Sequence, residues 1–163
     1  MSITFNADEI FEMAENIERD GAKFYRLAAK KATEEKTKQM FLDLASMEDK
    51  HLATFQEMRK ELGAMEKEET VFDPNDEAAM YLQTMASGHG WEGKKSLTES
   101  LTGTEKIEDI IKIALEAERN SVVFYSGLKE LVPARAGKDK VGAIIREELG
   151  HIAILNEQLA LLK

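Results

Sequence analysis

The sequence contains no cysteine. That excludes disulfides, thiolate nucleophiles, zinc ribbons and iron–sulfur ligation by thiolates. Only two prolines interrupt its 163 residues, and there are just three histidines and one tryptophan. No apolar run approaches the roughly 20 residues needed to span a bilayer, so no membrane association is expected. There is no long basic run, and the net charge is −9. Nucleic acid and anionic membrane surfaces are therefore not expected partners. The opening stretch Met1-Ser2-Ile3-Thr4-Phe5-Asn6 lacks the basic-then-apolar order of a signal peptide, so a cytoplasmic location is the default expectation.

What is abundant is helix-forming: Ala, Leu, Glu, Lys and Met dominate. The length suits one domain with a full core, here taken as 1–163. The chain also repeats itself. Glu18, Phe24-Tyr25, Glu48 and His51 recur as Glu118, Phe124-Tyr125, Glu148 and His151, each shifted by 100 positions (118 − 18, 125 − 25, 148 − 48, 151 − 51).

Four apolar stripes with helical spacing run through the chain. The first reads Phe11, Ala14, Gly21, Tyr25 and Ala28, opens at an Asn6 cap and ends near Ala32. The second, capped by Thr33, reads Phe41, Leu44, Glu48, His51, Phe55, Met58 and Leu62, with Gly63 as its stop. The third, capped by Thr104, reads Ile107, Ile111, Ala114, Glu118, Ser121, Tyr125 and Leu128. Pro133 and the region of Gly137 break the chain before the fourth, which reads Val141, Ile144, Glu148, His151, Leu155, Leu159 and Leu162. The predicted organisation is all-α: a hairpin over 7–62, a crossover over 63–104 and a second hairpin over 105–162. Within the crossover, a short helix is expected from Asp73-Pro74 to Met85, followed by a loop around His89. A connection of that length fits a segment running the length of a four-helix bundle.

Glu18, Glu48, Glu118 and Glu148 stand in slots that the periodicity reserves for the core. A bare carboxylate in an apolar interior costs several kcal/mol, and no Arg or Lys on the same stripe is placed to pair with them. Glu48 and His51 are separated by three residues, so both reach one point from adjacent turns of a helix, as do Glu148 and His151. Four carboxylates and two neutral imidazoles balance two divalent cations, and hard oxygen ligands with one imidazole per metal suit iron or manganese. A single Glu-x-x-His among 31 acidic residues would more often mark a solvated face. Two of the three histidines falling in the same motif, each with the same upstream partner, weigh against that. Tyr25 and Tyr125 read either as core aromatics or as residues touching the ligands. His89 reads as a loop residue and the methionines as core filling.

On these residues the sequence resembles the rubrerythrin-like branch of the ferritin-like superfamily, over residues 6 to 162 apart from the crossover. Glu from each of two helices and Glu-x-x-His from each of the other two is the di-iron carboxylate pattern of such bundles. The resemblance implies a ferritin-like four-helix bundle holding two iron ions. Glu18 and Glu118 would be terminal ligands, Glu48 and Glu148 bridges, and His51 and His151 would serve one iron each. It implies a reaction with peroxide or dioxygen, with electrons from a separate donor protein and a homodimeric assembly. The alternatives are a ferroxidase or iron-binding protein of ferritin type, and a metal-bound structural bundle. No rubredoxin-type cysteine pairs are present. Rubrerythrins carry a further glutamate three residues before the third-helix ligand. Here that position is Leu115, and its repeat mate is Glu15. Glu15 is therefore a candidate participant in the chemistry, alongside Tyr25 and Tyr125.

Overall fold

A computed structural model describes residues 7–65, 96–132, 134 and 137–162. Among them are four α-helices and no strand: α1 (Ala7–Lys31), α2 (Glu35–Met65), α3 (Ile107–Leu131) and α4 (Lys138–Leu161). A short 3₁₀ turn, Thr98–Ser100, precedes α3. The expected Asn6 cap, the helix from Asp73 and the loop at His89 lie outside the described residues.

Helix α1 packs along α2, and α3 along α4; the two hairpins meet through α1 against α3 and α2 against α4. Three expected boundaries differ. Lys38 N–H donates to the Glu34 carbonyl at 2.9 Å, and the Thr37 hydroxyl donates to the Glu34 carboxylate at 3.1 Å. Glu34, not Thr33, thus holds the cap position of α2. At its other end α2 continues past Gly63 to Met65, because one interior glycine costs only about 1 kcal/mol. Thr104 does not cap α3. The N-cap is Lys106, without a side-chain cap. The Glu105 carboxylate instead accepts from the backbone N–H groups of Thr102 and Gly103. Before α4, Gly137 sits at φ 101°, a left-handed conformation that glycine adopts without strain.

The core divides into two apolar clusters. One gathers Phe11, Phe55, Met58, Phe124, Tyr125, Val141 and Ile144. The other gathers Phe24, Tyr25, Phe41, Leu44, Ile111, Ala114 and Leu155. Along every helix the Glu and His positions fall between the contributions to these clusters. The polar residues of the stripes are thus held in the middle of the bundle, between the two clusters. The 100-residue shift also exchanges the clusters: Phe11 maps to Ile111, Tyr25 to Tyr125, Phe41 to Val141 and Phe55 to Leu155. A twofold relation passing through the polar layer would exchange them in the same way.

Candidate metal centre

The polar layer consists of Glu18 from α1, Glu48 and His51 from α2, Glu118 from α3, and Glu148 and His151 from α4. None is more than 4% exposed. They form two overlapping groups, Glu18–Glu48–His51–Glu148 and Glu48–Glu118–Glu148–His151. In each, one ligand atom per residue lies within 4.8 Å of all the others. The structure thus brings together all six residues that the sequence singles out as metal-binding candidates.

Glu48 and Glu148 belong to both groups, and their two oxygens are divided between them. His51 Nδ1 lies 2.8 Å from Glu148 Oε1, 3.4 Å from Glu18 Oε2 and 3.7 Å from Glu48 Oε2. His151 Nδ1 lies 3.3 Å from Glu48 Oε1, 3.3 Å from Glu118 Oε1 and 3.5 Å from Glu148 Oε2. Each shared carboxylate therefore offers one oxygen to each group, as a bridging ligand must.

The donor set fits two cations. Glu18 Oε2, His51 Nδ1, Glu148 Oε1 and His151 Nδ1 are buried without a hydrogen-bond partner among the described residues. One unsatisfied buried polar atom costs about 1–3 kcal/mol; here four lie close together with their lone pairs converging rather than facing N–H groups. With protein atoms alone, protons must supply the positive charge. Burial, then the charges of Glu48 and Glu148, push Glu18 well above the usual carboxylate range. Burial and Glu148 raise Glu118 to about 8. Burial alone would lower the two histidines, but the close carboxylates of the surrounding glutamates outweigh it, raising His51 far above its usual value and His151 to about 12. Burial would likewise raise Glu48 and Glu148, yet the neighbouring Glu and His side chains hold both low and ionised. A cluster that gathers protons so strongly offers its donors to metal ions once those protons leave.

The tyrosines cross between the hairpins. Tyr25 donates from its hydroxyl to Glu118 Oε1, and Tyr125 to Glu18 Oε1. Burial, then the adjacent carboxylates, push both phenols up, so they remain protonated donors. Each thus fixes one outer glutamate of the opposite hairpin. Gly21, one turn from Glu18, packs against a shared ligand: a Cβ there would lie 3.4 Å from Glu48 Cδ, in van der Waals contact.

Glu15 is buried, at 7% exposure, but belongs to neither ligand group. Its Oε2 lies 3.4 Å from Arg59 Nη1 and 3.8 Å from Arg19 Nη2. Its repeat mate Leu115 is buried in the core. One contact escaped the sequence reading: Glu147 Oε2 lies 2.9 Å from His51 Nε2. Its only sequence signal is its place directly before Glu148. A cleft between α1 and α3, with a volume of about 310 Å³, reaches this layer at Tyr25, Glu48 and Glu118, with Asp20 and Glu116 also on its walls.

No curated protein matches the chain. Among solved structures it is similar to a Thermotoga maritima protein described as ferritin-like and diiron-carboxylate, at 19% identity and a TM-score of 0.64, over 96% of this chain and 95% of that one. At that identity the likeness shows the fold, a ferritin-like helical bundle. A sequence profile of the Rubrerythrin family matches residues 9–159. That span holds the whole Glu/His cluster and both tyrosines, and the chain belongs to the rubrerythrin family.

Proposed function

We propose that the protein is a di-iron oxidoreductase that reduces peroxide or dioxygen with electrons from a separate donor protein. The observation that carries this reading is the pair of ligand groups sharing Glu48 and Glu148. Glu18, Glu48, His51 and Glu148 would hold one iron; Glu48, Glu118, Glu148 and His151 would hold the other. Bound iron would supply one electron per ion and a Lewis acid for developing oxygen charge.

The chain's own residues do the rest. Its two apolar clusters cover the layer from either end of the bundle. The cleft between α1 and α3 suits entry of a molecule as small as peroxide. Tyr25 lines that cleft and holds a proton at its hydroxyl oxygen, beside Glu118. It is placed to hydrogen-bond an oxygen arriving there. Tyr125 holds the equivalent proton at Glu18. Glu15, one turn from Glu18, would join the chemistry only by exchanging Arg59 for the metal site.

A second reading, a ferroxidase in which ferrous iron is substrate, is favoured by the acidic walls of the same cleft. Asp20 and Glu116 would attract a cation rather than a neutral peroxide. Metal analysis of anaerobically purified protein, followed by stopped-flow oxidation with peroxide and dioxygen in parallel, separates the two. Two tightly held irons oxidised faster by peroxide are expected. Exchangeable iron that turns over with dioxygen would support the ferroxidase, and protein that retains no metal would sink both readings.

A further inference from the structure

His51 and His151 occupy the same place in the repeat, but their outer nitrogens meet different surroundings. His51 Nε2 lies 2.9 Å from Glu147 Oε2. His151 Nε2 is buried and has no hydrogen-bond partner among the described residues. The repeat mate of Glu147 is Met47, whose thioether is at best a weak acceptor. Met47 lines a surface hollow together with Ile154, one turn beyond His151. The repeat position that would carry a second carboxylate thus holds an uncharged side chain.

Glu147 and Glu148 grip His51 from two sides. Successive helix residues point about 100° apart. Glu148 therefore faces the inner Nδ1, at 2.8 Å, while Glu147 reaches the outer Nε2. An imidazole that meets a carboxylate at Nε2 keeps its proton there. Its Nδ1 lone pair is then free for a metal, and the ring cannot flip.

We infer that Glu147 is a positioning residue for His51 and makes the two metal positions unequal, the His51 position binding more tightly. This rests on the two-metal reading of the cluster. A carboxylate behind a ligating histidine raises its basicity and fixes its orientation, and losing one typically costs roughly 10- to 100-fold in metal affinity. The Glu147 side chain is 49% exposed. Solvent screening therefore places its effect near the lower end, about tenfold.

The test is anaerobic titration of the full-length apoprotein with cobalt(II), followed by visible absorption and calorimetry. Repulsion between two close cations separates the binding steps in any such site, so the readout is the change between parent and variant. Glu147→Met, which makes the two halves alike, should weaken the tighter step about tenfold and draw the two steps together. Glu147→Gln should fall between, because its amide oxygen still accepts the N–H but carries no charge. Met47→Glu should strengthen the weaker step. Melting of the apo forms by circular dichroism should differ little, since residue 147 is half exposed; a purely structural role would shift melting and leave the step spacing alone. If Glu147→Met and Met47→Glu both bind two cobalt ions with the parent's two affinities, the inference is overturned and the two-metal reading stands. If the parent binds fewer than two, both fall.

Discussion

The two ends of the bundle are built from equivalent positions and solve the same packing problem differently. At one end Gln158 donates to Thr37 across 3.2 Å. At the other, the equivalent positions are Met58 and Gly137, which lie so close that a Cβ on the glycine would meet Met58 Cε at 2.9 Å. A buried polar pair on one side is replaced by a glycine and a thioether on the other. Other repeat mates have diverged as well: Glu15 faces Arg59 where Leu115 joins the core, and Glu147 faces His51 where Met47 stands opposite. The four glutamates, two histidines and two tyrosines of the polar layer are identical in the two halves. Only a requirement shared by both halves accounts for that contrast. Packing can be met by many side chains of similar volume, whereas coordination of a metal needs particular atoms.

The largest effects should come from breaking what the halves share. Glu48→Ala and Glu148→Ala each remove an oxygen from both ligand groups. Each should strip most of the metal, and to a similar extent. Glu18→Ala and Glu118→Ala remove a ligand from one group only and should leave about half of it. Plasma emission analysis of each variant, with the exposed Glu57→Ala as control, measures this. Equal losses from the shared and unshared glutamates would mean that Glu48 and Glu148 do not bridge.

Removing the metal from both halves should follow, with a dependence on pH that the cluster dictates. Glu118 titrates in the fold near 8 and His151 near 12, against about 4.3 and 6.5 unfolded. Both values are raised, so the folded apoprotein binds protons more tightly than the unfolded chain. The stability those protons confer is complete below the unfolded values and is lost as pH rises through the folded ones. Metal replaces the same protons, so its affinity climbs over that range. The gap between metal-loaded and apo melting midpoints should therefore widen from about pH 6 to about pH 8. Scanning calorimetry of both forms tests this, and a gap that narrows would place the metal elsewhere.

The shared features were also the legible ones. The 100-residue shift, the four stripes and the misplaced Glu and His residues can be read from periodicity alone, because helical spacing fixes which residues share a face. The family resemblance rested on those same residues. What could not be read depends on contacts between helices or on local competition at their ends. Gly63 reads as a stop, but α2 runs on through it. Thr104 reads as a cap, but the neighbouring Glu105 takes the free N–H groups of the preceding turn. Glu147 lies off the stripe of its helix, and nothing in its own spacing shows that it meets a histidine 96 positions earlier. Arg59, which holds Glu15, likewise comes from another helix.

A smaller and symmetric effect is expected at the tyrosines. Tyr25→Phe and Tyr125→Phe each leave a buried carboxylate of the opposite hairpin without its phenol donor. With metal bound both carboxylates are ionised, a hydrogen bond to a charged group contributes about 1.5–3 kcal/mol, and for a chain of this size each kcal/mol is worth about 2–4 °C. Both variants should melt several degrees lower, by similar amounts, and retain metal. A cost confined to one of them would show that the halves are not equivalent at the layer itself.

The smallest expected effect sharpens the comparison at its most unequal point. Glu15→Leu copies the residue of the second half into the first. Glu15 lies one turn from Glu18, near enough for its side chain to reach the metal layer. In the structure it is turned to Arg59, which also approaches Glu12 at 3.7 Å and so keeps an acidic neighbour in the variant. The ion pair is largely buried, but Arg59 keeps Glu12 and the leucine adds apolar burial in place of the carboxylate, so stability should change little. Metal content should match the parent, because Glu15 belongs to neither ligand group. What remains is rate. If Glu15 leaves Arg59 for an iron when the centre is oxidised, its loss removes one negative charge that stabilises the oxidised state. Stopped-flow oxidation by peroxide should then slow by roughly two- to tenfold, up to about 1.4 kcal/mol of barrier. Identical rates at equal metal content would remove Glu15 from the chemistry and leave it as the partner of Arg59.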